Sequence, residues 1–498
     1  MSTVGTSPAL LDEARSLLAR AAEAYRGMPD QHARLIAAGD RLDEPLRVAI
    51  AGKVKAGKST LLNALVGEEL APTDAGECTR IVTWYRDGIT YRVTLLSRQG
   101  EARQVPFTRE AGAIDVDITP FDADDVAELD IEWPSASLRE MTLIDTPGIA
   151  SPSADVSART HSFLAPGEDH VTPADAVVYL MRHLHASDVG FLEAFHDEEL
   201  SQATPVNAIA VLSRADEVGA GRIDSLASAQ RIAARYRRDA KLRRLVQTVV
   251  PVAGLLAQSG TTLREAEYKA LDAIAGASRE DADALCLSAD RFASAPTTIP
   301  LTPADREHLL ERLGLFGVRL AVALIRQRAA PNATALAGEL VRRSGVKELR
   351  DVLLTQFAQR RDVLKARSAL RALESVLHEQ PVAGSDVLAN ELERLTSSAH
   401  ELAELRLLNA LRAGGMKLKE QESADMERLL GAEGDAPHTR LGLGPETDES
   451  AVRQALQDNI GRWQRRAESP MSSRDVTDAA RVLVRTCEGM LASRVVAA

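Results

Sequence analysis

Residues 46–65, LRVAIAGKVKAGKSTLLNAL, constrain the fold more tightly than any other segment. The apolar run Leu46–Ala51 has the length and character of a buried parallel strand. Gly52, four intervening residues and Gly57-Lys58-Ser59 follow without a spacer, and Leu61, Leu62 and Leu65 then fall at helical spacing. Strand, glycine loop and helix in that order are the setting of a phosphate-binding loop. The two glycines let the backbone wrap a phosphate closely, and the N–H groups at the helix start point at the anion. Lys58 brings charge to the β and γ phosphates, and the Ser59 hydroxyl can ligate Mg²⁺. Val54, Lys55, Ala56 and Thr60 complete the expected nucleotide loop.

Two later motifs narrow the nucleotide. Met141–Ile144 is an apolar run ending in Asp145-Thr146-Pro147-Gly148. An Asp at a strand's C-terminal end can hold a Mg²⁺ shell through water, and Gly148 can offer its N–H to a γ-phosphate. The same Thr-Pro-Gly is also good turn chemistry. Asn207–Leu212 is a further buried-strand pattern, closed by Ser213-Arg214-Ala215-Asp216. In guanine-nucleotide sites an Asp here accepts hydrogen bonds from guanine N1 and N2, and the basic side chain two positions earlier lays its stem along the base. Ser213 and Arg214 depart from the usual Asn/Thr-Lys. Val252 and Ala253, ending the next apolar run, are assigned to the same pocket. The three motifs come in the required order, each closing an apolar strand. That conjunction favours guanine over adenine, with GTP as substrate and Mg²⁺ as cofactor.

Lys58 and Asp145 stand 87 positions apart, which leaves room for an insertion beyond a minimal Ras-like domain. Inside it lies Gly76-Glu77-Cys78-Thr79-Arg80. Thr79 is placed either to act as second Mg²⁺ ligand and γ-phosphate sensor or simply to enter the strand Ile81–Tyr85. The loop 52–60, the Thr79-Arg80 pair, Asp145–Gly148 and the Asp216 motif together resemble the dynamin superfamily of large GTPases. The segments GKVKAGKSTLLNAL, ECTRIVTW, LGLFGVRLA (313–321) and SGVKELRDVL (344–353) resemble its actinobacterial, isoniazid-inducible branch, and the likeness covers nearly the whole chain. The resemblance implies a Ras-like GTPase domain on a helical bundle. It implies hydrolysis of GTP to GDP that quickens when GTPase domains pair, coupled to bundle movement in membrane remodelling or maintenance at the cytoplasmic face of the cell membrane. The implied partners are a second copy of the chain, a paralogous dynamin-like protein and anionic lipid. An alternative stays open: a soluble GTP-dependent switch that assembles with a longer paralogue and does not touch lipid itself.

The loop departs from that family at Val54 and Lys55, where eukaryotic members carry Gln-Ser. In the family those residues help orient the attacking water and hold a monovalent cation near the β–γ bridging oxygen. Val54 cannot orient water. Lys55 either places its ammonium where the cation would sit or is a solvated lysine on an exposed loop. Ile149, not Gln, follows the Asp-Thr-Pro-Gly motif. The expected catalytic set is therefore Lys55, Lys58, Thr79 and Gly148, and turnover by the isolated protein is expected to be slow.

The chain's 498 residues suit two or three domains. A net charge of −12 speaks against a nucleic-acid partner. Cys78, Cys286 and Cys487 are widely spaced and read as reduced thiols. The start MSTVGTSPALLDEAR lacks a basic-then-apolar signal pattern, and no run of about 18 apolar residues occurs. A cytoplasmic or peripheral membrane location is the expectation.

Residues 1–44 should hold an amphipathic helix, begun at Ser7-Pro8, with Leu10, Ala14, Leu17, Leu18, Ala21 and Tyr25 on one face. Residues 45–295 should form the GTPase domain, with strand-like stretches at 91–96 and 130–133. Residues 296–498 read as helical: Thr302-Pro303 opens a helix to Gln327, leucines from 349 to 377 line a second, and Leu388–Leu402 form a seam. Two helices near 446–468 and 472–495 close the chain. The fold class is α/β plus all-α, with the N-terminal helix joining the C-terminal ones as a neck or trunk. The basic stretch 231–244 should be a solvated face or meet anionic lipid or an acidic partner. The turn 380–384 and the stretch 412–419 are alternative bundle tips.

Overall fold

The computed structural model of the chain describes residues 8–71, 81–110, 113–116, 125–147, 174–195, 207–219, 221–354, 361–412, 416, 418–434 and 436–497. Eleven strands occur among them: β1 (Leu46–Gly52), β2 (Val82–Arg86), β3 (Arg92–Ser97), β4 (Ala102–Gln104), β5 (Phe107–Glu110), β6 (Ala113–Val116), β7 (Val126–Glu132), β8 (Met141–Asp145), β9 (Ala176–Met181), β10 (Ala208–Ser213) and β11 (Val249–Val252). Nine form one sheet in the order β11-β10-β9-β1-β8-β2-β7-β3-β4, and β5 and β6 make a separate antiparallel pair. The five strands from β11 to β8 run parallel. Strand β2 turns antiparallel to β8 and parallel to β7.

Parallel strands are covered by helices on both faces, so their sequences read as unbroken apolar runs. Every residue of β9 and β10 is buried. Alternate side chains of β1 enter opposite layers, as a strand's period of two requires. Ala49 joins Val177, Tyr179 and Ala210 on one side, against the helices Ser225–Arg237, Glu265–Gly276 and Pro303–Arg326. Val48 and Ile50 join Leu61, Leu62 and Ala257 on the other.

This core runs past the boundary expected at 295. Leu309, Leu313, Phe316 and Leu320, with Leu336 and Leu340, are buried in the first layer, and Val346 and Leu349 in the second. Of the helix expected through 349–377, Val346–Val352 lies against the sheet and Arg361–Glu379 in the bundle, and residues 355–360 between them lie outside the described residues. The physical reason is that a helix's apolar stripe shows that it needs a partner, not which one. Thr302 caps the Pro303–Arg326 helix through the Asp305 N–H, with Asp305 returning the bond to the Thr302 N–H. That helix bends at Gly314, whose φ of +63° a glycine accepts without strain.

The remaining helices form a second core. The first helix, α1 (Pro8–Ala24), buries Leu10, Ala14, Leu17, Leu18 and Ala21 among Leu370, Leu373 and Val376. Tyr25 donates its hydroxyl to the Gln380 carbonyl at 2.8 Å. A second helix, α2 (Pro29–Asp40), went unforeseen; Pro29 starts it and Leu35 and Ala38 are its buried residues. The helices Ser385–Ser398, His400–Arg412, Glu420–Leu429, Glu449–Glu468 and Arg474–Ala497 complete the bundle. The seam at 388–402 breaks at Ala399, where ψ is 114°. Each buried leucine contributes roughly 1.5–3 kcal/mol relative to exposure, which the periodic spacing exploits. Cys286 and Cys487 are buried thiols. No helix among the described residues is long and apolar enough to cross a membrane.

Polar contacts join the two cores. Arg41, the C-cap of α2, reaches Asp175 at 2.7 Å, and Asp175 also accepts the Arg47 N–H at 2.9 Å. Within the bundle, Lys365 donates to the Leu42 carbonyl at 2.9 Å beside this junction. Glu427 in the bundle accepts from Arg243 in the sheet domain and lies 3.4 Å from Arg412 Nε. The basic stretch is therefore partly engaged: Arg243 in this contact and Arg237 with the Val249 carbonyl and Glu348.

Candidate functional site

The C-terminal ends of β1, β8, β9, β10 and β11 converge on one edge. The chain leaves β1 toward β8 on one side and later returns to β9 on the other, so the strand order reverses at β1. Ligands of open α/β sheets bind in the crevice such a reversal creates.

The loop after β1 is shaped for close backbone approach. Gly52 lies against β9, and a Cβ there would come within 2.7 Å of the Leu180 carbonyl oxygen. Gly57, at φ +93°, is the N-cap of α3 (Lys58–Val66), and no side chain caps that helix. Its first N–H groups are left facing the loop, the arrangement that attracts anions. Lys55 also has left-handed backbone, at φ +62°. For a residue with a Cβ this is uncommon and costs on the order of 1–3 kcal/mol. Its side chain and that of Val54 are exposed.

Lys58 turns back over the loop, with Nζ 3.5 Å from the Gly52 carbonyl. Burial pushes its ammonium below the ordinary lysine range, and Asp145 pulls it part of the way back. The Ser59 hydroxyl donates to Asp145 Oδ2 at 3.1 Å. Asp145 Oδ1 is buried without a partner. Burial pushes the Asp145 carboxyl up, opposed by Lys58 and by the Ser59 bond. Thr146 donates to the Ile50 carbonyl at 3.0 Å and so fixes the turn after β8. A hydroxyl and a carboxylate with a free buried oxygen are the hard donors that Mg²⁺ takes, so these residues fit the metal. Thr79 and Gly148 lie outside the described residues.

A cavity of about 140 Å³ adjoins the loop, lined by Ala56, Gly57, Thr60, Ser213, Arg214, Asp216, Val252 and Gly254 among others. Asp216 is 8% exposed. Burial raises its pKa above the ordinary range, against the pull of its own backbone N–H, Arg214 and Arg182. The Ser213 hydroxyl is buried without a partner. Arg214, at φ +52°, donates to the Lys55 carbonyl at 3.0 Å and to Glu217 at 2.7 Å. Its guanidinium thus bridges the base-side motif and the phosphate loop. Ala253 does not line the cavity; it is fully buried and its N–H donates to the Ser344 carbonyl at 2.8 Å.

A contact that sequence reasoning missed holds the loop from below. Lys53 Nζ lies 3.1 Å from Asp188, which is 1% exposed. Asp188 also accepts from the Tyr179 hydroxyl at 2.8 Å and the His185 N–H at 2.9 Å. The last bond ties the first turn of the Ala186–Phe195 helix to the residue before it.

A Dynamin family model matches residues 48–208. The isoniazid-induced protein IniC of Mycobacterium tuberculosis (strain ATCC 25618 / H37Rv) is 41% identical over 487 residues, which is 97% of this chain and 98% of that protein. The chain belongs to the dynamin family. It is a bacterial dynamin-like GTPase close to IniC, and GTP is its substrate. A bacterial dynamin-like protein of Nostoc punctiforme is 30% identical over 149 residues, or 27% of this chain and 20% of its own. Among solved structures, one described as an oligomerised bacterial dynamin pair in the long-range sensing and tethering of membranes overlies 99% of this chain and 81% of its own. The TM-score is 0.33 and the identity 13%.

Proposed function

We propose that this dynamin-family GTPase holds GTP·Mg²⁺ across the C-terminal edge of its sheet and hydrolyses it slowly alone and faster when two GTPase domains pair. The observation that carries the reading is the Ser59–Asp145 contact, with a buried Asp145 oxygen left free at the foot of the phosphate loop. Ser59, Thr79 and, through water, Asp145 would hold Mg²⁺. Held there, the ion would neutralise charge on the β and γ phosphates. Lys58 leaves the Gly52 carbonyl, a weak partner at 3.5 Å, for the phosphate oxygens. The loop and α3 N–H groups take the remaining oxygens. Asp216 accepts from the guanine edge while the Arg214 stem covers the base. Gly148 and Thr79 sense the γ-phosphate. Lys55 places its ammonium beside the β–γ bridging oxygen, and its left-handed backbone sets where that side chain projects.

Hydrolysis would move the bundle through the two junctions at Arg41–Asp175 and Arg243–Glu427. A division into an N-terminal helical segment, a GTPase unit and a C-terminal bundle fits that mechanics, with the GTPase unit extending to about residue 354. Action at the inner face of the cell membrane, with anionic lipid and a paralogous chain as partners, completes the proposal.

Asp216→Asn tests the base assignment. Exchanging an acceptor for a donor should weaken GTP and favour xanthosine triphosphate in competition binding. Equal binding of ATP and GTP by the unaltered protein would rule the guanine reading out.

A further inference from the structure

The helices Arg361–Glu379, Ser385–Ser398 and His400–Arg412 do not close on one another. Between them lies a cavity of about 700 Å³ that shares no lining residue with the one beside the phosphate loop. That volume is within the range of about 300–1,000 Å³ typical of small-molecule sites. One wall is cationic: Arg367, Arg371 and Arg406 line it. None of the three guanidinium groups makes a hydrogen bond or ion pair with a described residue. Arg367 is half-buried, and burial together with Arg371 and Arg406 brings its pKa down to about 9. No carboxylate offsets it. Asn409, 2% exposed, lies on the same wall with its Oδ1 buried and unpartnered. Five leucines, among them Leu392, Leu402 and Leu405, line it as well, together with His378, Thr396 and two carboxylates.

Three guanidinium groups around one space repel each other and cost stability. Elsewhere in this bundle the deeply set Glu404, Glu427 and Arg440 each meet an opposite charge. A compensating anion would supply charge-assisted hydrogen bonds to planar donors built for carboxylate or phosphate. The leucine wall excludes a bare anion as the whole occupant, because it would leave most of the volume to unpartnered water. Glu374 and Glu393 also line the cavity and are exposed. They would repel a peptide carrying a row of acids, but not a single charged head followed by an apolar body.

We propose that this cavity binds an anionic amphiphile, its head on Arg367 with Arg371 and Arg406, and its acyl-type chain along the leucine wall. The site is independent of the nucleotide reading. It gives the bundle a second ligand input, one that relieves charge repulsion between helices and so stiffens the element that nucleotide hydrolysis would move.

Fluorescence of cis-parinaric acid, a polyene fatty acid, tests this on the full chain. A saturable rise is expected, displaced by oleate below its micelle concentration but not by inorganic phosphate, oleyl alcohol or poly-glutamate. Arg367→Met should weaken binding on the order of tenfold or more. The same change should raise the ligand-free melting temperature, since it removes an uncompensated charge; a purely structural arginine would do the reverse. Ala389→Trp, at an exposed rim position, should block entry without disturbing the fold. GTP affinity should be unchanged in both variants. No saturable signal, displacement by phosphate or poly-glutamate in place of oleate, or unaltered binding by both variants would overturn the proposal.

Discussion

The nucleotide edge of the sheet and the interior of the helical bundle both bury charge, and they treat it in opposite ways. In the bundle, Glu404 meets Arg440 at 2.9 Å and accepts from Thr486 at 2.6 Å. Asp425 meets Arg428 and Arg462, each at 3.0 Å. Glu427 lies between Arg243 and Arg412. At the sheet edge, Asp145 keeps a free oxygen, the Ser213 hydroxyl has no partner, and Lys58 is left with one distant carbonyl. Lys55 and Arg214 add left-handed backbone there. Pairing holds helices in register; incompleteness and strain mark places where a ligand supplies what the protein omits. By that criterion the Arg367 cavity belongs with the sheet edge, although it sits in the bundle.

Changes that break pairs should therefore unfold the bundle, and changes at the sheet edge should cost function at nearly constant stability. Glu404→Gln removes the buried carboxylate that Arg440 meets and should cost about 3 kcal/mol of unfolding free energy, read from urea denaturation. Asp145→Asn, which neutralises a buried carboxylate that lacks a full shell, should leave the nucleotide-free protein as stable or more so. Equal losses in the two variants would erase the contrast.

Acid sharpens the same point. Burial disfavours the Glu404 carboxylate, but Arg440 and the bonds with His400 and Thr486 outweigh it and hold its pKa at about 2, against an ordinary 4.5. A group whose pKa is lowered on folding stabilises the fold above its unfolded value and loses that contribution as pH falls through the folded one. Bundle stability from this site is thus complete above about 4.5 and should drain away between there and about 2. Glu404→Gln should flatten that part of the profile of stability against pH. An identical acid profile in both proteins would mean that other carboxylates govern it.

Smaller effects follow at the loop. Ser59→Ala should change the stability of the free protein by no more than about 0.5 kcal/mol. It should nevertheless remove most of the gain in GTP affinity that Mg²⁺ gives, measured by calorimetry with and without the metal. The smallest effect expected is at Lys55. If its ammonium serves where relatives hold a monovalent cation, turnover should be nearly equal in K⁺, Na⁺ and a bulky inert cation. Lys55→Ser should then be slower and dependent on K⁺. Strong K⁺ stimulation of the unaltered protein would remove the role.

Much of this architecture is legible in the chain because its strands are buried on both faces. Runs such as Ala208–Ser213 need no partner to be recognised, and a glycine loop between strand and helix has few other uses. The positions of Ser59, Asp145 and Asp216 follow from that alone. Other features depend on contacts that periodicity does not encode. The helices after residue 295 show apolar faces, but only packing reveals that Leu313 and Leu340 cover the sheet. Helix α2 was hidden because Leu35 and Ala38 are a thin stripe. Lys53 and Asp188 meet across 135 positions, and Ala253 is engaged through its backbone, where side-chain identity says nothing. The Arg367 cavity arises from how three helices diverge, which no spacing of leucines records.

The central claim is that the incomplete edge of the sheet is the guanine-nucleotide site. Isothermal titration of GTP with Mg²⁺ into the unaltered protein and Lys58→Ala tests it most directly. The account predicts clear binding to the former and a loss on the order of 2–4 kcal/mol in the latter, with the melting temperature of the free protein little changed. Unchanged GTP affinity in Lys58→Ala would contradict it.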